Sequence, residues 1–185
     1  MRNSHLLSVG SLVALGVLLG CDQTASVSPS VGSSPITRAD VSGPRPWKES
    51  YHSTGTIAPA ADCASPLLLE SEVGGGTATH VGNYTIVNSH CVDPSTGALT
   101  GGQFVKTAAN GDQLFGTYVG SATPIQPPTP IGIFQISGTV TFTGGTGRFA
   151  EAIGTTDMQG TLEADFSQTP VATQTTLTMT GTISY

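Results

Sequence analysis

The chain has 185 residues, its formal net charge is −6, and only 10% of it is charged, against roughly 25% in a typical globular domain. That length allows one domain plus accessory segments. Six Lys and Arg cannot neutralise many phosphates, which excludes nucleic acid as a partner and docking on anionic lipid through a basic patch.

Arg2 precedes an apolar run, 6-LLSVGSLVALGVLLG-20, that ends in 18-LLGC-21. The run is shorter than the ~20 residues a spanning helix needs. LLGC resembles the lipobox of bacterial lipoproteins, with Leu at −3, Gly at −1 and Cys at +1. The resemblance implies a signal peptide over 1–20 and a diacylglyceryl thioether on Cys21, which becomes the mature N-terminus and holds the protein to a membrane. An ordinary secretory signal with a chance Cys, or a short anchor, is the alternative. Asp22 favours inner-membrane retention in enteric bacteria, but the periplasmic face of either membrane and the cell surface all stay open. Residues 22–46, rich in Ser, Pro, Gly and Thr without apolar periodicity, read as a tether, so 21–46 links the lipid to a domain at 47–185.

Setting Cys21 aside leaves an even pair, Cys63 and Cys91, in an oxidising compartment. A disulfide between them, closing a 28-residue loop, is the expectation; two separate thiols are the alternative. Their spacing does not resemble a zinc site, and no metal or other cofactor is expected.

From Trp47 the pattern has period two. Segments 47–58, 66–73, 79–90, 99–108, 112–120, 134–142, 158–166 and 171–185 read as strands. In 134–142, Phe134, Ile136, Val140 and Phe142 share one face while Gln135, Ser137, Thr139 and Thr141 share the other. In 158–166, Met158, Leu162, Ala164 and Phe166 point inward; in the last segment Leu177, Met179, Ile183 and Tyr185 do. Asn110-Gly111 predicts a type I′ hairpin, with positive φ at both central positions. The Pro-rich stretch 121–132 reads as a long loop, either a lid or plain connection. Eight sequential strands without a helix predict a single antiparallel up-and-down eight-stranded β-barrel, which removes exposed edges and has room for side chains or one small ligand. A two-sheet β-sandwich is the alternative.

The stretch 144-GGTGRF-149 lacks the Lys-Ser/Thr and following helix of a phosphate loop. It reads as a tight corner in which Gly144, Gly145 and Gly147 permit positive φ, with Phe149 and Ile153 plugging the barrel end. GGTGRFAEAIG resembles the glycine turn of dirigent proteins and of the allene oxide cyclase barrel-like proteins. Residues 79–118 also resemble an uncharacterised bacterial group of secreted proteins with this barrel. The resemblance spans roughly 65–185. It implies an eight-stranded barrel with an apolar cavity, often as a homo-oligomer, and it carries over no catalytic residue.

Candidate chemistry is sparse. His80 and His90 lie ~33 Å apart on a continuous strand and cannot share a metal, though either could meet His52 from another strand. Glu70 and Glu72 lie ~6.6 Å apart on one strand face, a separation used in sugar hydrolysis. Leu67, Leu69 and Val73 take the opposite face, so the pair is expected to face water as protection of the sheet. Ser89 and His90 point to opposite faces and cannot act as nucleophile and base. Arg148 could hold an anionic ligand at the barrel mouth, or pair with Glu151 or Asp157. Tyr84 and Tyr118 are the expected inward polar groups, by parity with Ile86 and Leu114. The leading reading is a non-catalytic module binding a small apolar ligand or an envelope partner. The alternatives are an isomerase- or cyclase-like enzyme working inside the barrel, and a structural envelope protein.

Overall fold

A computed structural model describes residues 43–185. Cys21, the expected signal peptide over 1–20 and most of the expected tether lie outside the described residues. The described chain forms eight strands in order: β1 Arg45–Ala58, β2 Leu68–Ala78, β3 Gly82–Val92, β4 Ala98–Ala108, β5 Gln113–Gln126, β6 Ile131–Gly145, β7 Ile153–Asp165 and β8 Val171–Ser184. Each pairs antiparallel with its sequence neighbours, and β1 closes on β8, giving one up-and-down barrel rather than two stacked sheets.

Alternation explains the strands. On β8, Leu177, Met179 and Ile183 are buried while Thr176, Thr178, Thr180 and Thr182 face water. Branched Thr suits an exposed pleated surface, so one periodic run supplies both strand propensity and a core face. β6 behaves alike, with Ile136, Val140 and Phe142 inside. On β7, Met158, Leu162 and Ala164 point inward as expected, but Phe166 is exposed: the strand ends at Asp165, so the parity that would carry Phe166 inward is broken.

Two turns differ from expectation. The stretch 121–132 is mostly sheet, because β5 continues to Gln126 and β6 starts at Ile131. Ser121, Ala122 and Thr123 pair with Ser137, Ile136 and Gln135, and the ladder shifts register between Pro124 and Gln126. A proline is tolerated there because a strand end at a bulge loses little from its missing N–H. In the β4–β5 hairpin, Gly111 has φ +87° but Asn110 does not share a positive φ. Gly111 N donates to Ala108 O and Ala108 N to Asp112 O. This is a type I turn closed by a left-handed glycine, the three-residue alternative to type I′.

The glycine stretch forms the β6–β7 corner. Gly147 (φ +57°) opens a short 3₁₀ turn, Gly147–Phe149, which drives Phe149 fully into the core against Tyr185, ring centroids 5.1 Å apart. Gly145 lets the corner lie against the β4–β5 hairpin, since a Cβ there would fall 2.1 Å from Gln113 O. Thr146 locks the approach: its N–H donates to Gln113 O at 2.8 Å, and its hydroxyl accepts from Gln113 N at 2.9 Å. Gly144 also takes positive φ, at +132°. Phe149 is therefore the plug, whereas Ile153 points to solvent because it begins β7 on the outer parity. At the opposite end Cys63 and Cys91 form a disulfide, Cα atoms 5.7 Å apart, which ties the β1–β2 connection to the end of β3.

Candidate functional site

The interior has two unlike walls. Ile136, Val140, Met158, Leu162, Leu177 and Met179, from β6 to β8, make an apolar one. Strands β1 to β5 supply a polar one: Glu49, Tyr51 and Ser53 on β1, Glu70 and Glu72 on β2, Tyr84, Asn88 and His90 on β3, Lys106 on β4, Tyr118 on β5. Between the walls lies a cavity of about 40 Å³. At roughly 10–15 Å³ per water, that is room for about three waters or a ligand of few atoms.

The carboxylates correct the sequence reading. Glu70 and Glu72 are 2% and 5% exposed, inside the barrel, while Val73 and Val87 are 60% and 61% exposed outside. This wall is inverted. Its outer face carries a row of directly opposed residues, Val73–Val87–Val105–Phe115, across four strands. Cross-strand apolar pairs support one another on the outside. The inside can hold carboxylates because donors from neighbouring strands converge on them.

Three carboxylates are served differently. Glu49 accepts from Trp47 Nε1 at 3.0 Å, from Lys106 Nζ at 2.5 Å and from the Tyr84 hydroxyl. The Lys106 ammonium is also ringed by Trp47, Tyr84, Phe104 and Phe142, with centroids 4.8–5.9 Å away. Burial pushes the Lys106 pKa down, against the pull of Glu49. Glu72 accepts from Asn88 Nδ2 (2.6 Å), Thr175 Oγ1 (2.6 Å), Ser53 Oγ (2.8 Å) and Tyr51 Oη (3.1 Å). Glu70 has only His90, whose Nε2 lies 3.2 Å from Oε2 but out of hydrogen-bond alignment. Glu70 Oε1 has no hydrogen-bond partner.

His90 is oriented from behind. Asn88 Nδ2 donates to the Tyr118 hydroxyl at 3.2 Å, and that hydroxyl lies 2.9 Å from His90 Nδ1. The Tyr118 contact at Nδ1 holds the ring with Nε2 toward Glu70. Burial raises the pKa of Tyr118, and of Tyr51 and Tyr84, so all three stay donors at neutral pH.

Tyr84 and Tyr118 both point inward, as parity predicted, but only Tyr118 lines the cavity; Tyr84 is committed to Glu49. Arg148 lies outside the barrel at the glycine corner and pairs with Asp112 at 3.6 Å rather than with Glu151 or Asp157. The corner's dock on the β4–β5 hairpin brings Asp112 to it. His52 faces outward, His80 sits in the β2–β3 turn with φ +71°, and His90 is inside, so the three do not converge. Among the described residues, no group of three or more His, Cys, Asp or Glu is placed to hold a metal ion.

Glu49 and Lys106 went unnoticed in the sequence. A signal was present: Glu49 shares strand parity with Trp47 and Tyr51, and Lys106 with Phe104. No protein-family model, curated protein or solved structure matches this chain.

Proposed function

We propose that the protein is a bacterial envelope lipoprotein, held to a membrane through Cys21, whose barrel binds a small molecule between its polar and apolar walls. The observation that carries the binding role is Glu70 Oε1, a buried carboxylate oxygen without a partner in a residue that lines the cavity. Buried polar atoms ordinarily find partners, so one left open beside a cavity is an acceptor held for something that enters. The polar wall changes the expected ligand from purely apolar to amphipathic. The unpartnered hydroxyls of Thr156 and Thr173 are neutral and do not line the cavity.

Native mass spectrometry of the full chain, purified gently from a bacterial envelope, tests both halves. The expected spectrum shows a lipid-modified Cys21 and a small retained molecule. An unlipidated N-terminus would remove the anchor, and a bare barrel mass from every preparation would favour a structural role.

The second reading is acid–base catalysis inside the barrel. It draws on His90, held by Tyr118 with Nε2 beside the Glu70 carboxylate, so that an imidazole and a carboxylate face one cavity. Deuterium exchange into a small ketone, abolished by His90→Asn, would support it; no exchange above buffer would remove it.

A further inference from the structure

Resting on the binding role just given, we propose that the ligand class is a small primary alkylamine, bound as its ammonium by Glu70 with its alkyl end on the apolar wall. The barrel supplies its own comparison. Each of the other two buried carboxylates is matched: Glu49 by an ammonium and two further donors, Glu72 by four neutral donors. Glu70 is the one left short, with one oxygen open and the other facing a misaligned His90.

The formal charges point the same way. Of the described groups buried in the interior, Glu49, Glu70 and Glu72 are acids and Lys106 is the single Lys or Arg. Lys106 offsets Glu49, which leaves Glu70 and Glu72 without a Lys or Arg partner in the interior. A buried charge is tolerated when paired, so the site favours a monocation over a neutral or anionic guest. An ammonium can donate to Glu70 Oε1, as the Lys106 ammonium does to Glu49. Ile136, Leu162 and Leu177 line the same cavity and offer the alkyl chain an apolar surface. Room for about three waters is also room for about three heavy atoms, the size of ethylamine.

The test is an NMR titration of the full-length oxidised protein with ethylamine at neutral pH, with ethanol and formate as size-matched comparators. The reporters are the methyl groups of Met158 and Met179, which line the cavity. Ethylamine is expected to shift them saturably at a concentration at least tenfold below that needed for ethanol, with formate inert. Glu70→Gln keeps the shape and removes the charge, and is expected to bring ethylamine and ethanol to within twofold of each other. If ethanol or formate matches ethylamine in the unaltered protein, the amine class is wrong while the binding site stands. If no probe shifts either methionine, the site itself is overturned along with the class. The wild-type comparison decides the matter even if the variant does not fold.

Discussion

Lys106 Nζ lies 2.5 Å from Glu49 Oε2 inside the barrel, with the two side chains 1% and 0% exposed. The pair joins β1 to β4, two strands that are not neighbours in the sheet, so it crosses the interior. Trp47 and Tyr84 also donate to Glu49, which would keep two partners if Lys106 were lost. Lys106 has no such reserve of anionic partners: its remaining neighbours are four aromatic rings.

Glu49→Gln should therefore cost about 3–5 kcal/mol at pH 7, because it strands a buried ammonium. Lys106→Met should cost less, because Glu49 retains neutral donors and the methionine fills the space. Sign matters for pH. Burial already lowers the Lys106 pKa from 10.5, and losing Glu49 lowers it further. Between the folded value and 10.5 the unfolded chain binds the extra proton, so stability rises with pH. Glu49→Gln should regain about 1.4 kcal/mol per pH unit over that window, read from urea midpoints below pH 10. A loss under ~1 kcal/mol with no pH slope would show that the pair is not the interior's main ionic tie.

The disulfide spans 28 residues and ties a connection to the end of β3. In the chain-entropy model such a loop is worth about 3.5 kcal/mol. The double variant Cys63→Ala/Cys91→Ala should lose roughly that amount, with equal effect from reduction of the native protein. Chemical unfolding with and without reductant checks it; a variant as stable as the oxidised protein would mean that the denatured chain gains nothing from opening the loop.

The barrel was legible because its signals are local. Thr176, Thr178, Thr180 and Thr182 alternate with apolar partners, and among the described residues no α-helix interrupts the strands. The site was less legible because parity tells which residues share a face, not which face is inside. On β2, Val73 and Glu72 present that choice, and the usual weighting sends the valine inward. The actual arrangement depends on Ser53, Asn88 and Thr175 converging on Glu72 from three other strands, a relation of register between distant segments. Trp47 and Tyr51 were the better guides, since large aromatics fix the inward parity that Glu49 shares.

Gly147 tests the corner that shaped the fold reading. Its φ is +57°, and a Cβ there would fall 1.9 Å from Asp112 Oδ1, the residue that pairs with Arg148. Gly147→Ala should cost about 1–2 kcal/mol for the left-handed backbone alone. Displacing a flexible aspartate adds little, so Gly147→Ala/Asp112→Ala should recover only a minor part. Full recovery in the double variant, measured by thermal unfolding, would assign the cost to the clash instead of the backbone.

Three of the four tyrosines are buried, two of them bonded to carboxylates, and this sets the alkaline limit. Burial is the largest cause of the raised pKa at Tyr51, Tyr84 and Tyr118, with Glu72, Glu49 and again Glu72 adding to it in turn. Their unfolded value is 10.0. Above it the unfolded chain sheds protons that the folded barrel keeps, so the stability present below pH 10 is lost as pH rises. Three such groups give a slope of about −4 kcal/mol per pH unit. Unfolding above pH 10 should thus be steep, and phenolate absorbance from these residues should appear together with the loss of sheet circular dichroism. Tyr51→Phe, Tyr84→Phe and Tyr118→Phe should each reduce that slope by about 1.4 kcal/mol per unit. Phenolate absorbance from these three that develops while the sheet signal is intact would mean that water reaches them in the folded state, and that the polar wall is wetter than its burial indicates.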